Sequence, residues 1–330
     1  MKIILVAPPG SFTEQLEKAF VKNGTDVLCV NDREIKILPF LKKNVISWRI
    51  IRRLSGLRVI NNKLFNRDLI GLCRREKPGI LFVNKGMTVR PETLKEIKLM
   101  GIKTVNWFPD NVKIEPYHSW FLNNAKLYDY FISFDSSVLE CEGNNFYIPV
   151  GVDPDRFIAP DLSPKDYDKY FCDLCFIGAY SRNREYYLSK VNDLNLRIFG
   201  WKGWEKSSLA KLYGGPLSLE ESIKAYNCAK ICINLNTVPP VNGVNLKTFE
   251  IPAAGGFQLS DFRKDIDDLF VVGKEIDIFH NESELREKVI FYMKNEQLRK
   301  NIAQAGKMRV LRDHTLEKRV AAILKILEGN

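Results

Sequence analysis

The chain has 330 residues, 45% of them hydrophobic, and 50 basic against 40 acidic side chains give it a formal net charge of +10. That length exceeds the size at which a single core usually stops growing, so two packed domains are expected, with one large α/β barrel as the rival. The apolar runs, such as LCFIG from Leu174 and ICINL from Ile231, fall far short of the roughly 20 residues of a spanning helix, so no transmembrane helix is expected.

The chain opens MKIILVAPPG, a short apolar stretch closed by a Pro-Pro-Gly turn. This reads as a first β-strand and not as a secretion signal, and a cytoplasmic protein is expected. Further strands are predicted at 26–30, 80–84, 103–107, 130–133 and 146–148, after the first at 2–7, with helices in the gaps. Ser11 and Glu14 have the spacing of a capping box for a helix over 11–22, and Pro91 stands where a first helical turn tolerates proline. Alternation of strand and helix predicts a parallel sheet wrapped by helices.

Most of the positive charge lies between Lys42 and Lys77, where eleven bases face two acids, Asp68 and Glu76. Such a patch suits a phosphate-bearing or acidic partner, whether a lipid headgroup, an anionic glycan or nucleic acid. The stretch 45–58 sets Trp48, Ile51 and Leu54 beside Arg49, Arg52 and Arg53, as in an amphipathic helix resting on anionic lipid, an ordinary solvated helix, or a docking face for an anionic acceptor. No RNA- or DNA-binding module accompanies the basic run, which weighs against nucleic acid.

Residues 148–170, rich in proline and aspartate and poor in periodicity, read as an interdomain connection. The pattern then restarts with strands at 172–177, 197–200, 231–235, 257–260 and 276–279, and helices at 184–192, 218–227, 246–254, 282–295 and 298–305. The predicted organisation is an N-terminal domain over 1–150, a C-terminal domain over 151–315 and a last helix over 316–330. That helix carries Val320, Ile323, Leu324 and Leu327 on its apolar side and can pack on either domain. A Gly-x-Gly-x-x-Gly fingerprint and a Walker-type Gly-Lys-Ser/Thr are both absent, which disfavours dehydrogenase and kinase readings. Seven cysteines form no metal-ligand array. Only Cys172 and Cys175 are close, and strand geometry sends residues three apart to opposite faces.

The most informative segment is VNGVNLKTFEIPAAGGFQLSD, residues 241–261. A glycine turn at Gly243 leads into a predicted helix whose N-terminus offers free N–H groups and a positive dipole end, suited to a diphosphate. Glu250, about two turns in, is placed to accept hydrogen bonds from ribose hydroxyls. The plainer alternative makes it a solvated helix residue, with Gly255 and Gly256 an ordinary C-cap.

This stretch resembles the C-terminal signature of GT-B glycosyltransferases, and more closely their spore-maturation CgeB-like branch. NWFPDN (106–111), YDYFISFD (128–135), IPVGVDP from Ile148, FIGAYSRNR (176–184), FGWKGW (199–204) and PLSLEESIKAYNCAKICIN (216–234) agree with it in order. The resemblance implies a GT-B fold, two Rossmann-like α/β domains facing each other across a cleft. It implies transfer of a sugar from a nucleotide-diphosphate donor to a glycan, lipid-linked or protein acceptor, with no cofactor beyond the nucleotide sugar and no metal. Donor binding would then fall to Gly178, Gly243, Val244, Asn245, Lys247, Thr248, Glu250 and Trp201, and leaving-group stabilisation to Arg182 or Arg184. Trp201 or Trp204 either stacks on the base or fills the core. Asn242 stands where many retaining relatives carry a glutamate, which leaves the stereochemistry open. Asp166/Asp168 and Asp265/Asp267 match Asp-x-Asp, but their positions do not suit a metal site.

The N-terminal domain should supply the acceptor site. Asp110, just past a predicted strand at the carboxyl edge of the sheet, is the first choice for a general base, although capping a helix near Glu115 or bracing the turn after Pro109 would also explain it. Glu14 and His118 are further acceptor-side candidates. A nucleotide-sugar epimerase on the same fold and a noncatalytic binding or assembly protein are the alternatives. A cytoplasmic location, peripheral on the inner face of the membrane through the basic region, completes the expectation.

Overall fold

A computed structural model describes residues 1–34, 36–37, 55–201, 203–236 and 242–329. The chain divides into two compact units, Met1–Pro149 with Arg319–Asn330, and Val150–Lys318.

In the first unit, β1 (Lys2–Ala7), β2 (Asp26–Asn31), β3 (Ile80–Asn84), β4 (Lys103–Phe108), β5 (Tyr130–Ser133) and β6 (Asn145–Tyr147) form one sheet in the order β2-β1-β3-β4-β5-β6. Every pairing is parallel. The helices are α1 (Ser11–Lys22), α2 (Ser55–Glu76), α3 (Pro91–Leu99) and α4 (Tyr117–Asn124). Central strands of a sheet covered on both faces must be apolar at every position, which is why IILVA and ILFV are unbroken hydrophobic runs. Leu81 and Val83 face Phe65, Leu69, Leu94 and Ile97 of α2 and α3, while Phe82, one residue out of phase, meets Phe20 of α1 with ring centroids 5.0 Å apart.

The second unit has five parallel strands, β7 (Cys172–Ile177), β8 (Leu196–Phe199), β9 (Ala229–Asn234), β10 (Gln258–Asp261) and β11 (Asp277–Phe279), in the order β11-β10-β9-β7-β8. Its helices are α5 (Pro164–Tyr170), α6 (Arg182–Ser189), α7 (Leu219–Cys228), α8 (Lys247–Ala254), α9 (Ile266–Leu269), α10 (Glu282–Lys294) and α11 (Glu296–Asp313). The core gathers Leu174, Phe176, Ile198, Ile231, Ile233 and Leu259 around Trp204 and Tyr292. Helix α11 crosses the neighbouring segment at Gly306, where a Cβ would come 2.2 Å from the Glu275 carbonyl oxygen. A last helix, α12 (Leu316–Glu328), buries Val320, Ile323, Leu324 and Leu327, and the Leu327 carbonyl accepts from Lys103 Nζ at 2.8 Å in the first unit.

Four local expectations are corrected. Ser11 does not cap α1: Gly10 occupies the cap position without a side-chain bond, and the Gly10 carbonyl instead takes the N–H groups of Thr13 and Glu14. The connection after residue 148 is not wholly irregular, because Ser163 and Asp166 form a reciprocal capping box that starts α5. Helix α11 begins at Glu296 and runs to Asp313, well past the predicted 298–305, and α4 begins at Tyr117 with Pro116 as its cap residue. Of the amphipathic stretch 45–58 and the basic run 42–77, residues 42–54 lie outside the described residues.

Candidate active site

In the second sheet the chain leaves β7 toward β8 on one side and returns to β9 on the other, so the carboxyl ends of β7 and β9 flank a topological switch point. Gly178 follows β7. A side chain there would bring its Cβ 2.9 Å from Phe176 Cζ, and one at Gly200 (φ 127°) would sit 2.4 Å from the Gly178 carbonyl oxygen. The two glycines let the ends of β7 and β8 touch, and Trp204 Nε1 locks the contact by donating to Gly178 O at 2.9 Å. Trp204 is thus a core residue, wholly buried, whereas Trp201 is 78% exposed.

Arg184 is buried in the first turn of α6. Its Nε and Nη2 donate to Leu235 O at 3.0 and 2.8 Å and its Nη1 donates to Ala179 O at 2.8 Å, tying the loop after β7 to the end of β9. Burial pulls its guanidinium down to about 10, against the favourable field of Asp261. Arg182, two residues earlier, is exposed, and Ser181 caps the helix through the Arg184 N–H. The predicted arginine pair therefore divides, with Arg184 spent on backbone carbonyls and Arg182 open to solvent.

From Leu235 the network continues toward α8. Asn234, buried at the end of β9, donates to Thr248 Oγ1 at 3.1 Å and accepts from Asn245 Nδ2 at 2.9 Å, while Asn245 Oδ1 takes the Thr248 N–H at 3.2 Å. Thr248 and Asn245 thereby fix the N-terminus of α8 against the sheet, and Gly243 and Val244 are buried beneath it. Glu250 lies in the first turn of α8, not two turns in, because the helix starts at Lys247. It is paired with Lys247 Nζ at 2.6 Å, and that ammonium also stands 5.8 Å over the ring of Tyr226. Gly255 ends α8 in the left-handed conformation at φ 95°. Beyond, Asp261 receives the backbone and side-chain N–H groups of Asn236 and an ion pair from Arg263 at 2.7 Å. Within one unit, hydrogen bonds thus link the β7 loop to the start of α8 through Arg184, Leu235, Asn234 and Asn245.

In the first unit the switch point lies between β1 and β3. Asp110 stands past the end of β4, where it caps no helix and instead pairs with Lys85 Nζ at 2.6 Å. Lys85 follows β3 in the left-handed region, at φ 69°, and donates to Tyr117 OH at 3.1 Å. Burial lowers the Lys85 ammonium, but Asp110 and Tyr117 outweigh it and leave it raised. Glu14 is exposed on α1. His118 turns to its own loop, Nδ1 lying 2.9 Å from Val112 O, so that nitrogen carries the proton. Two residues absent from the sequence reading belong to this edge, Lys85 and Asp32. Their signal in the sequence is slight: a lysine before glycine in NKG and an acid directly after a strand in VND.

Residues 182–325 match a family described as glycosyl transferase-like. Over whole chains the fold is similar to a glycosyltransferase from Rickettsia africae ESF-5, with 14% identity, 99% of this chain and 98% of that chain covered, and a TM-score of 0.69. It is also similar to sucrose-phosphate synthase from Thermosynechococcus elongatus, with 10% identity, coverage of 100% and 98%, and a TM-score of 0.71. The chain has the fold of GT-B glycosyltransferases. A third GT-B structure, Anabaena HepE in complex with UDP and glucose, aligns at 10% identity over 100% of both chains with a TM-score of 0.67. No curated protein sequence matches the chain.

The acidic and sulfur pairs of the chain are engaged elsewhere. Asp166 is held in the α5 capping box and by Lys224 at 3.1 Å, while Asp168 is exposed. Asp265 is buried before α9, and Asp267 is exposed. Cys172 and Cys175 meet despite their spacing. A hydrogen bond with Cys172, then burial, holds the Cys175 thiol well above its ordinary range, so that thiol stays protonated in the core. Among the described residues no group of three or more His, Cys, Asp or Glu side chains is placed to hold a metal ion.

Proposed function

We propose that this glycosyltransferase moves a sugar from a nucleoside-diphosphate donor on its second unit to a glycan, lipid-linked or protein acceptor on its first, without a metal or further cofactor. The observation that carries this reading is the bonded path from Gly178 through Arg184 and Asn234 to Asn245. It brings two helix N-termini, those of α6 and α8, to one switch point. Glu250 accepts the ribose hydroxyls, and Lys247 shares its charge between Glu250 and the adjoining phosphate. Arg182 meets the diphosphate as negative charge builds on the departing nucleotide. Arg184 is a positioning residue that keeps the two loops in register, and exposed Trp201 stacks on the base. The complexes of HepE with UDP and with UDP-glucose make a uridine nucleotide the first donor to try. The NLKTFEIPAAGG block supports a CgeB-like branch within the superfamily.

On the acceptor side, Asp110 and Lys85 mark the carboxyl edge of the first sheet, with Glu14 and His118 at its margins. No helix among the described residues is long and apolar enough to cross a membrane. The exposed Arg58, Lys63, Arg67 and Arg74 of α2, beside Val59 and Ile60, suit peripheral attachment to an anionic cytoplasmic surface.

The test is turnover of UDP-glucose, UDP-N-acetylglucosamine, GDP-mannose and ADP-glucose in excess EDTA, read as nucleoside diphosphate released and sugar transferred or hydrolysed. Release from at least one donor in EDTA is expected. An altered nucleotide sugar with donor alone would show an epimerase instead, and loss restored only by a divalent ion would overturn the metal-free mechanism.

A further inference from the structure

The two carboxylates at the carboxyl edge of the first sheet have opposite environments. Asp110 is engaged by Lys85 at 2.6 Å and is 30% exposed at its side chain. Asp32, directly after β2, is only 8% exposed, and its Oδ1 is buried with no hydrogen-bond partner among the described residues. Its backbone N–H donates to Ala7 O at 3.2 Å, and its Oδ2 accepts from Thr88 Oγ1 at 3.3 Å. Since β1 lies between β2 and β3, Asp32 and Thr88 span the end of β1, beside the switch point where open α/β sheets take their ligands.

Helix α2 holds this arrangement rigid. Asn61 donates to Glu34 O at 3.1 Å and accepts from the Lys36 N–H at 2.7 Å, fixing the loop after β2. Asn66 donates to Thr88 O at 2.9 Å and accepts from the Arg90 N–H at 2.9 Å, fixing the loop after β3. The charged groups facing Asp32 are Arg33 on its own loop and Lys85 after β3. Burial, the largest influence, raises the carboxyl above its ordinary value against those two cations and the Thr88 hydroxyl. A carboxyl group raised by burial is suited to take up a proton from a bound hydroxyl.

We propose that Asp32, and not Asp110, is the catalytic base, its Oδ1 accepting the proton of the acceptor hydroxyl. The assignment rests on the glycosyl-transfer reading above with an inverting course. As the proton passes to Oδ1, the acceptor oxygen uses the freed electron pair to bond the anomeric carbon. The bond from that carbon to the β-phosphate oxygen breaks, and its electron pair leaves with the nucleoside diphosphate. Asp110 remains the ion-pair partner of Lys85, which also acts on Asp32.

The experiment measures nucleoside diphosphate release from whichever of the four nucleotide sugars turns over, water serving as acceptor, together with thermal stabilisation by UDP. Asp32→Asn is expected to lower the rate by about 100-fold or more with UDP stabilisation unchanged, and Asp110→Asn to lower it less. The wild-type rate should fall as pH drops through the Asp32 titration. Lys85→Gln should move that fall to higher pH, because the cation favouring the carboxylate is gone. If Asp32→Asn does not fold, Asp32→Glu and the Lys85→Gln pH profile carry the same decision. A rate for Asp32→Asn within about threefold of wild type, or an unmoved acid limb in Lys85→Gln, overturns the assignment and leaves glycosyl transfer standing. Wild-type protein that binds UDP but releases none overturns the base and points to a noncatalytic protein. Neither binding nor release sinks the glycosyl-transfer reading itself.

Discussion

Arg182 and Arg184 differ by two positions and by everything the fold does with them. The Arg184 guanidinium is shut in beside the Phe176 ring, 5.4 Å from its centroid, and feeds two carbonyls, the buried one of Leu235 and the half-buried one of Ala179. Arg184→Ala is therefore expected to lower unfolding free energy in urea by roughly 2–4 kcal/mol, from lost charged hydrogen bonds and stranded buried acceptors. Arg182→Ala, on the exposed side of the same turn, should stay within about 0.5 kcal/mol of wild type and weaken nucleotide binding instead. Equal stability losses in the two variants would contradict the division. The sequence names both arginines, but only tertiary packing says which one faces Leu235. The same holds for the tryptophans of FGWKGW, one wholly buried and one 78% exposed.

Among the elements, strands buried on both faces announce themselves by composition, and helices by caps and periodicity. The short α5 escapes that reading because it buries little beyond Tyr170, so its apolar period is too brief to detect, and its cap uses aspartate in place of the more familiar glutamate. Helix α2 presents the reverse case, a long element whose outward face is basic: Arg58, Lys63, Arg67 and Arg74 are exposed, although Arg67 and Arg74 lie against Asp68 and Glu96. Each cation near an anionic bilayer is worth about 1 kcal/mol at low salt. The chain should co-sediment with phosphatidylglycerol vesicles and not with phosphatidylcholine vesicles. An Arg58→Glu, Lys63→Glu double variant should bind at least about tenfold more weakly. Binding that ignores lipid charge would remove the membrane role.

At the scale of the whole molecule, the two parallel sheets follow from the order of strands and helices alone, since alternation leaves few other ways to bury both faces. The proposed donor side is carried by neighbours in sequence, a glycine turn, a helix start and Glu250. The proposed acceptor side is not legible in this way, because Lys85, Asp110 and Asp32 are far apart in sequence and meet only where three strands end on one edge. The proposed glycosyl transfer requires the second unit to hold a nucleoside diphosphate at the switch point between β7 and β9. Titration calorimetry of UDP against wild type and Glu250→Gln decides that most directly. Saturable one-to-one binding by wild type, weakened about tenfold or more when the Glu250 carboxylate is removed, is the predicted result. Undiminished affinity in Glu250→Gln, or no binding of any nucleoside diphosphate by the wild-type chain, would contradict it.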